Sequence, residues 1–76
     1  MTSTTTRLKA LASTTPADAA RYGFYDADLA ARTKHVADVD GYFPSWNDVR
    51  VTRPRDVHTY VDAFVQKFGV RPEEVA

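Results

Sequence analysis

The sequence predicts a small, mainly α-helical single domain in which three helices are joined by an aromatic loop. An apolar stripe repeats at helical spacing near the C-terminus, two earlier segments carry helix start and stop signals, and 76 residues leave room for one domain. We place the helical domain at residues 15–71. A flexible N-terminal segment is expected over 1–14 and a C-terminal tail over 72–76.

The N-terminal segment begins with polar and β-branched residues, which we expect to be frayed. Arg7 and Lys9 lie beside a few apolar residues, but a secretory signal requires a continuous apolar stretch of ~7–15 residues. We therefore expect no targeting segment and a cytoplasmic protein. Abundant alanine, valine, aspartate and arginine with little lysine are typical of a bacterial or phage genome of high GC content.

The first helix is predicted over residues 16–22. Thr15 can cap its N-terminus, and Pro16 fits the first turn because a backbone N–H would be unpaired there. Asp18 stands at the capping-box position. Gly23 follows as a residue that readily adopts the left-handed conformation in which many helices end.

The second helix is predicted over residues 27–38. It starts at Asp26, and Asp28 in the first turn interacts favourably with the helix dipole. Asp28 and Arg32 are also spaced for an i,i+4 ion pair. The apolar face of this helix is thin and consists of Tyr25, Leu29, Thr33, Val36 and Ala37.

The third helix is predicted from Pro54 to Phe68 and carries the most regular pattern of the chain. Apolar residues recur at i, i+3, i+4, i+7, i+8 and i+11 and form one stripe. The stripe consists of Val57, Tyr60, Val61, Phe64, Val65 and Phe68. Gly69 is suited to end the helix, and Pro72 prevents its continuation.

An aromatic loop over residues 39–48 separates the second and third helices, with turn signals at Gly41 and Pro44. Residues 49–52 then alternate between apolar and polar side chains, which is typical of a short strand. The alternative architecture is therefore α+β, with a short two-stranded hairpin near residues 37–52. Two strands alone are marginally stable, so a helix would have to cover them.

No catalytic motif is present, so we expect a protein that is not an enzyme and has no cofactor. Asp38, Asp40 and Gly41 are spaced as in a calcium loop, but the first and twelfth positions hold Val36 and Asn47 instead of carboxylates. We interpret this segment as a turn.

His58 and Asp62 lie one helical turn apart, and His35 lies near Asp38 in the same way. Zinc takes three or four ligands, and the sequence implies no third one beside either pair. We therefore expect no metal site.

Two clusters are candidates for binding. Tyr42, Phe43 and Trp46 bring three large rings together within five positions, and aromatic residues are frequent energetic centres of protein interfaces. The alternative is that these rings complete the core of the domain. Arg50, Arg53 and Arg55 precede the third helix and are candidates for contact with an anion or a nucleic acid.

The favoured function is a non-catalytic protein-interaction module, such as a small accessory or assembly subunit of a larger complex. The expected partner is another protein or a second copy of the chain. The alternative is a small nucleic-acid-binding regulator that uses the arginine cluster, although a net charge of zero disfavours nucleic acid. No apolar run approaches the ~20 residues that cross a bilayer, so no membrane association is expected.

Overall fold

The computed structural model is mainly α-helical with a small two-stranded sheet, which confirms the predicted fold class. It describes residues 4–33, 35–38 and 41–76. Within these ranges a 3₁₀ turn over Pro54–Asp56 precedes the fifth helix. The order of the other elements is α1 Thr4–Ala12, α2 Pro16–Tyr22, β1 Phe24–Tyr25, α3 Ala27–Arg32, β2 Tyr42–Phe43, α4 Trp46–Thr52, α5 Val57–Phe68 and α6 Pro72–Val75.

The helix predicted over residues 16–22 is confirmed as α2. Thr15 caps its start as predicted, whereas Gly23 ends it with a ψ of −177°, outside the left-handed helical conformation that the sequence predicts. The Thr15 hydroxyl accepts a hydrogen bond from the Asp18 backbone N–H at 3.3 Å. At the other end, the N–H of Gly23 donates to the carbonyl oxygen of Ala19 at 2.8 Å, and Gly23 has a φ of +90°. Local capping therefore fixes both ends of this helix.

The second predicted helix starts where expected, since Asp26 caps α3 by accepting the Leu29 N–H at 3.0 Å. This hydrogen bond is the main reason that the pKa of Asp26 is lowered from its ordinary value. Lys67 at the end of α5 adds to the effect through an ion pair of 3.1 Å. The carboxylate thus joins the start of α3 to the end of α5.

The predicted end of this helix at residue 38 is wrong, because α3 ends at Arg32. Thr33 leaves the helical conformation, and its hydroxyl donates to the carbonyl oxygen of Leu29 at 2.7 Å. The N–H of Val36 then bonds the Thr33 carbonyl in a turn that buries the Val36 side chain completely. Burial of Val36 in the core thus overrides the local helix propensity. Lys34 lies outside the described residues.

The strand predicted over residues 49–52 is also wrong, because these residues belong to α4. The Ser45 hydroxyl caps this helix by accepting the Asp48 N–H at 3.2 Å. Trp46 and Val49, three positions apart, face the core, whereas Val51 is exposed. The apolar spacing that matters is therefore helical, and the alternation from Val49 to Val51 is incidental.

The third predicted helix is confirmed, with its first turn in the 3₁₀ conformation and the remainder as α5. Tyr60, Val61 and Phe64 of the predicted stripe are buried, and Val57 and Phe68 are partly buried against the same core. Val65 is the exposed member of the stripe. Gly69 ends the helix in the left-handed conformation, as the sequence predicts.

Both terminal segments contain helices that the sequence did not predict. The segment 1–14 contains α1, of which residues 1–3 lie outside the described residues. The tail 72–76 contains α6, whose Pro72 is buried, and this helix packs against α2 and α5. The boundaries expected at 14/15 and 71/72 fall between helices.

The sheet is an antiparallel pair of two-residue strands in which Phe24 lies opposite Phe43 and Tyr25 opposite Tyr42. Its second strand falls inside the range of the predicted hairpin, but its partner comes from the segment before α3. Because side chains alternate between the two faces of a strand, the phenylalanines share one face and the tyrosines share the other. The two phenylalanine rings stack 4.5 Å apart, nearly parallel, and are buried.

Gly23 allows a close approach of the two strands that no other residue would permit. A Cβ atom at this position would lie 2.2 Å from the carbonyl oxygen of Phe43. Gly69 also has a positive φ, but its surroundings are open. A side chain at Gly69 would therefore introduce backbone strain alone, whereas a side chain at Gly23 would introduce both backbone strain and a steric clash.

We predict that Gly23→Ala destabilises the fold by about 3 kcal/mol or more, since it combines a glycine-only conformation with a clash against β2. Gly69→Ala, the matched control, should cost only about 1–2 kcal/mol because it introduces left-handed strain alone. Urea denaturation followed by circular dichroism measures both. Equal losses for the two variants would contradict the steric role of Gly23.

The buried hydroxyl of Tyr60 predicts a pH dependence of stability. It donates to the carbonyl oxygen of Pro44 at 2.7 Å, and burial, with a smaller contribution from Asp48, raises the pKa of Tyr60 far above its ordinary value of 10.0. A raised pKa in the folded state stabilises the fold below the unfolded pKa, and this contribution is lost as the pH rises above it. Stability should therefore decline above about pH 10.

We expect Tyr60→Phe to lower the free energy of unfolding by about 1–2 kcal/mol at pH 7, because the Pro44 carbonyl loses its donor. The same variant should show a flatter decline above about pH 10, since the residue that titrates is gone. Urea denaturation from pH 7 to 11 measures both effects. An unchanged alkaline slope in the variant would refute the assignment to Tyr60.

Candidate functional site

Two of the three aromatic residues proposed for partner contact are buried in the core of the domain. Phe43 is 1% exposed and Trp46 is 9% exposed. The register of the sheet directs Phe43 onto Phe24, and the Trp46 ring stacks against Tyr60 with centroids 6.1 Å apart. These two rings complete the core, which was the alternative interpretation of the sequence, and partner contact through them stays a prediction.

Tyr42, the third of these residues, faces outward and forms a surface pair with Tyr25. The two rings lie 5.0 Å apart, tilted by 58°. Tyr42 is half-buried and Tyr25 is exposed. The Arg7 guanidinium lies over the Tyr42 ring, 5.0 Å from its centroid, so α1 reaches the outer face of the sheet.

Asp38, considered above as a calcium ligand, instead closes the turn before β2. Its Oδ1 accepts the Tyr42 N–H at 3.2 Å, and its Oδ2 lies 3.5 Å from the Arg7 guanidinium. Asp40 lies outside the described residues. In the ranges that the structure describes, no three histidine, aspartate or glutamate side chains come together as metal ligands would. His35 lies 3.4 Å from the Thr59 hydroxyl, and His58 is exposed.

The helix α1 contacts the rest of the domain through the small residue Ala10 and through its two basic residues, Arg7 and Lys9. Ala10 is buried where α1 packs against α2 and both strands. On one side Arg7 reaches Tyr42, and on the other the ammonium of Lys9 lies over the ring of Tyr22, 4.4 Å from its centroid. Cation–π contacts therefore lie on both sides of the buried alanine.

The large apolar side chains of α1 point away from the domain. Leu8 is 62% exposed and Leu11 is 52% exposed. A helix turns by about 100° per residue, so Leu8 lies nearly opposite the buried Ala10 and Leu11 lies beside Leu8. We call the exposed apolar face formed by Leu8, Leu11 and Ala12 the leucine ridge. Leu29, the remaining leucine of the sequence, is buried.

A pair of cations borders the leucine ridge on the side of α2. Lys9 and Arg21 share the ring of Tyr22, with the Arg21 guanidinium 6.0 Å from its centroid. In the described part of the chain, neither cation has a carboxylate within ion-pair distance. We call Lys9 and Arg21 the basic flank.

The arginine cluster divides into one structural and two exposed residues. Arg53 is half-buried, and its guanidinium donates to the carbonyl oxygen of Val36 at 2.6 Å, so it holds the turn after α3. Arg50 is exposed and bonds the side-chain oxygen of Asn47 on its own helix at 2.6 Å. Arg55 is exposed in the 3₁₀ turn.

Sequence reasoning missed the leucine ridge because it treated residues 1–14 as frayed. The available signal was the spacing of Leu8 and Leu11, which share one face of a helix three residues apart. Without long-range information the sequence does not show that Ala10 takes the inward position.

Among the described helices, none combines the length and the apolar character that crossing a membrane requires. Searches against protein-family models, curated proteins and solved structures find no match to this chain.

We predict that Leu8→Gln combined with Leu11→Gln changes the free energy of unfolding by less than about 0.5 kcal/mol, because both positions are exposed and glutamine is a good helix former. Ala10→Leu should instead cost about 1–3 kcal/mol, since the buried position has no space for a larger side chain. Urea denaturation compares the two. A large loss in the double variant would show that the leucines stabilise the fold itself.

Proposed function

We propose that this chain is a non-catalytic protein-interaction module, such as a small accessory or assembly subunit of a larger complex. The observation that carries the proposal is the outward position of Leu8 and Leu11 on α1. The proposal keeps the cytoplasmic location expected from the sequence.

The core of the domain is complete without the two leucines of α1. It consists of aromatic, alanine and valine side chains together with Leu29, and the described residues contain no buried side-chain polar atom without a partner. Burying a leucine yields about 1.5–3 kcal/mol relative to leaving it exposed. Leu8 and Leu11, which are 62% and 52% exposed, therefore offer apolar surface whose burial against another molecule would be favourable.

The tyrosine pair extends the candidate interface beyond α1. Arg7 on α1 lies over Tyr42, and Tyr42 contacts Tyr25, so the helix and the outer face of the sheet form one continuous surface. Tyrosine is enriched at protein interfaces because its ring is large and its hydroxyl tolerates water. Of the residues proposed from the sequence, Tyr42 thus remains a candidate for partner contact.

The photo-crosslinking residue p-benzoylphenylalanine at position 11 tests the proposal in cells of the source organism. We expect a discrete crosslinked protein that disappears when Leu8→Gln is added, because this substitution removes the remaining leucine of the ridge beside the crosslinker. The matched control places the same residue at Val51, an exposed valine on α4, where no such product should form. The absence of a protein adduct at position 11, or equal adducts at both positions, would overturn the proposal.

A further inference from the structure

We infer that the leucine ridge binds an amphipathic helix whose acidic side chains face the basic flank of Lys9 and Arg21. This inference rests on the proposed function and specifies the chemistry of its partner. The leucine ridge would bind the apolar face of the partner helix. The basic flank would select acidic side chains on that helix and so orient it.

The shape of the ridge fits a helix. Leu8 and Leu11 are three residues apart, slightly less than one turn, which is about 4.5 Å along the axis of α1. Apolar anchors with this spacing interdigitate with the i, i+3 and i+4 side chains of a second helix. The exposed Ala12 follows the leucines and allows the backbone of that helix to approach closely.

The charges beside the ridge favour an acidic partner. The first acidic residue in the sequence is Asp18, so α1 carries two cations and no carboxylate. Arg7 is paired with Asp38, whereas Lys9 and Arg21, which both lie over the Tyr22 ring, have no carboxylate within ion-pair distance among the described residues. Holding both cations against one ring lowers the entropy lost when they meet an incoming carboxylate.

The same charges disfavour two other occupants. If two copies of α1 met through their leucine ridges, each would present cations and no carboxylates to the other, so like charges would face each other. Lipid-binding basic segments contain clusters of about 4–8 lysines and arginines, and this chain has a net charge of zero. A helix with apolar and acidic faces satisfies both the leucines and the basic flank.

Two synthetic helices of about 18 residues, long enough to be helical in isolation, provide the probe. They share leucines at i, i+3, i+4 and i+7 and differ only in having glutamate or lysine beside this stripe. We expect the glutamate peptide to bind the full chain about tenfold tighter than the lysine peptide in fluorescence anisotropy, which corresponds to two exposed ion pairs. Raising the salt concentration should reduce this preference.

Substitutions in the protein test the contributions of the basic flank and of the leucine ridge separately. Lys9→Glu with Arg21→Glu should invert the preference, and Leu8→Gln with Leu11→Gln should abolish binding of both peptides. Arg50→Glu with Arg55→Glu is the matched control, because it changes the net charge equally on α4 and the 3₁₀ turn and should leave the preference intact. Equal affinities for the two peptides, no binding of either, or a preference lost in the control overturns the inference.

Three further outcomes distinguish failure of this inference from failure of the proposed function. A dimer in sedimentation experiments that Leu8→Gln with Leu11→Gln dissociates would identify a second copy as the occupant and overturn the acidic helix alone. A protein adduct at position 11 without peptide binding would do the same. Binding to anionic phosphatidylglycerol vesicles through the leucines, with no protein adduct at position 11, would overturn both.

Discussion

The ring of Phe24 is the point at which the separate segments of this chain meet. It stacks on Phe43 from the second strand and contacts the rings of three residues on α5, with centroids 5.3–6.2 Å away. The three are Tyr60, Phe64 and Phe68. Because Phe24 directly follows Gly23, the helix α2 must end without a side chain so that this ring can lie against the second strand.

Polar contacts are a second constraint, and they act on described residues that lie between α3 and α4. Arg53 donates to the carbonyl oxygen of Val36, and Tyr60 donates to that of Pro44. The two bonds hold the segment at both ends, and Asp38 closes the turn between them. Tyr42 is consequently carried to the outer face of the sheet, next to α1. The place of Tyr42 in the candidate interface therefore depends on the polar contacts of Val36, Asp38 and Pro44.

The sequence predicts those parts of the fold that local interactions determine. The limits of α2 follow from the Thr15 cap and from Gly23, and the end of α5 follows from Gly69, since these signals act within a few positions. The end of α3 and the helical state of residues 49–52 were not predictable in this way. Val36 and Trp46 reach their positions through contacts with distant residues, and these contacts outweigh propensity and alternation.

The candidate site was less predictable than the fold. Phe43 and Tyr42 are adjacent in sequence, and only the pairing register decides that one faces the core and the other faces outward. In α1 the small Ala10 faces inward because α2 and the two strands approach closely there. Only the tertiary structure therefore directs the leucines outward.

Trp46 and most of the tyrosines lie in different parts of the molecule, so their fluorescence reports on different regions. It is the one tryptophan of the sequence, and it lies in the core against Tyr60, while α1 packs on α2 and the strands. Tryptophan emission consequently reports the integrity of α4 and α5. Three of the four tyrosines, Tyr22, Tyr25 and Tyr42, lie near α1 and would sense an occupied leucine ridge. Tryptophan emission therefore follows unfolding, and the tyrosines near α1 add a signal that responds to binding at the ridge.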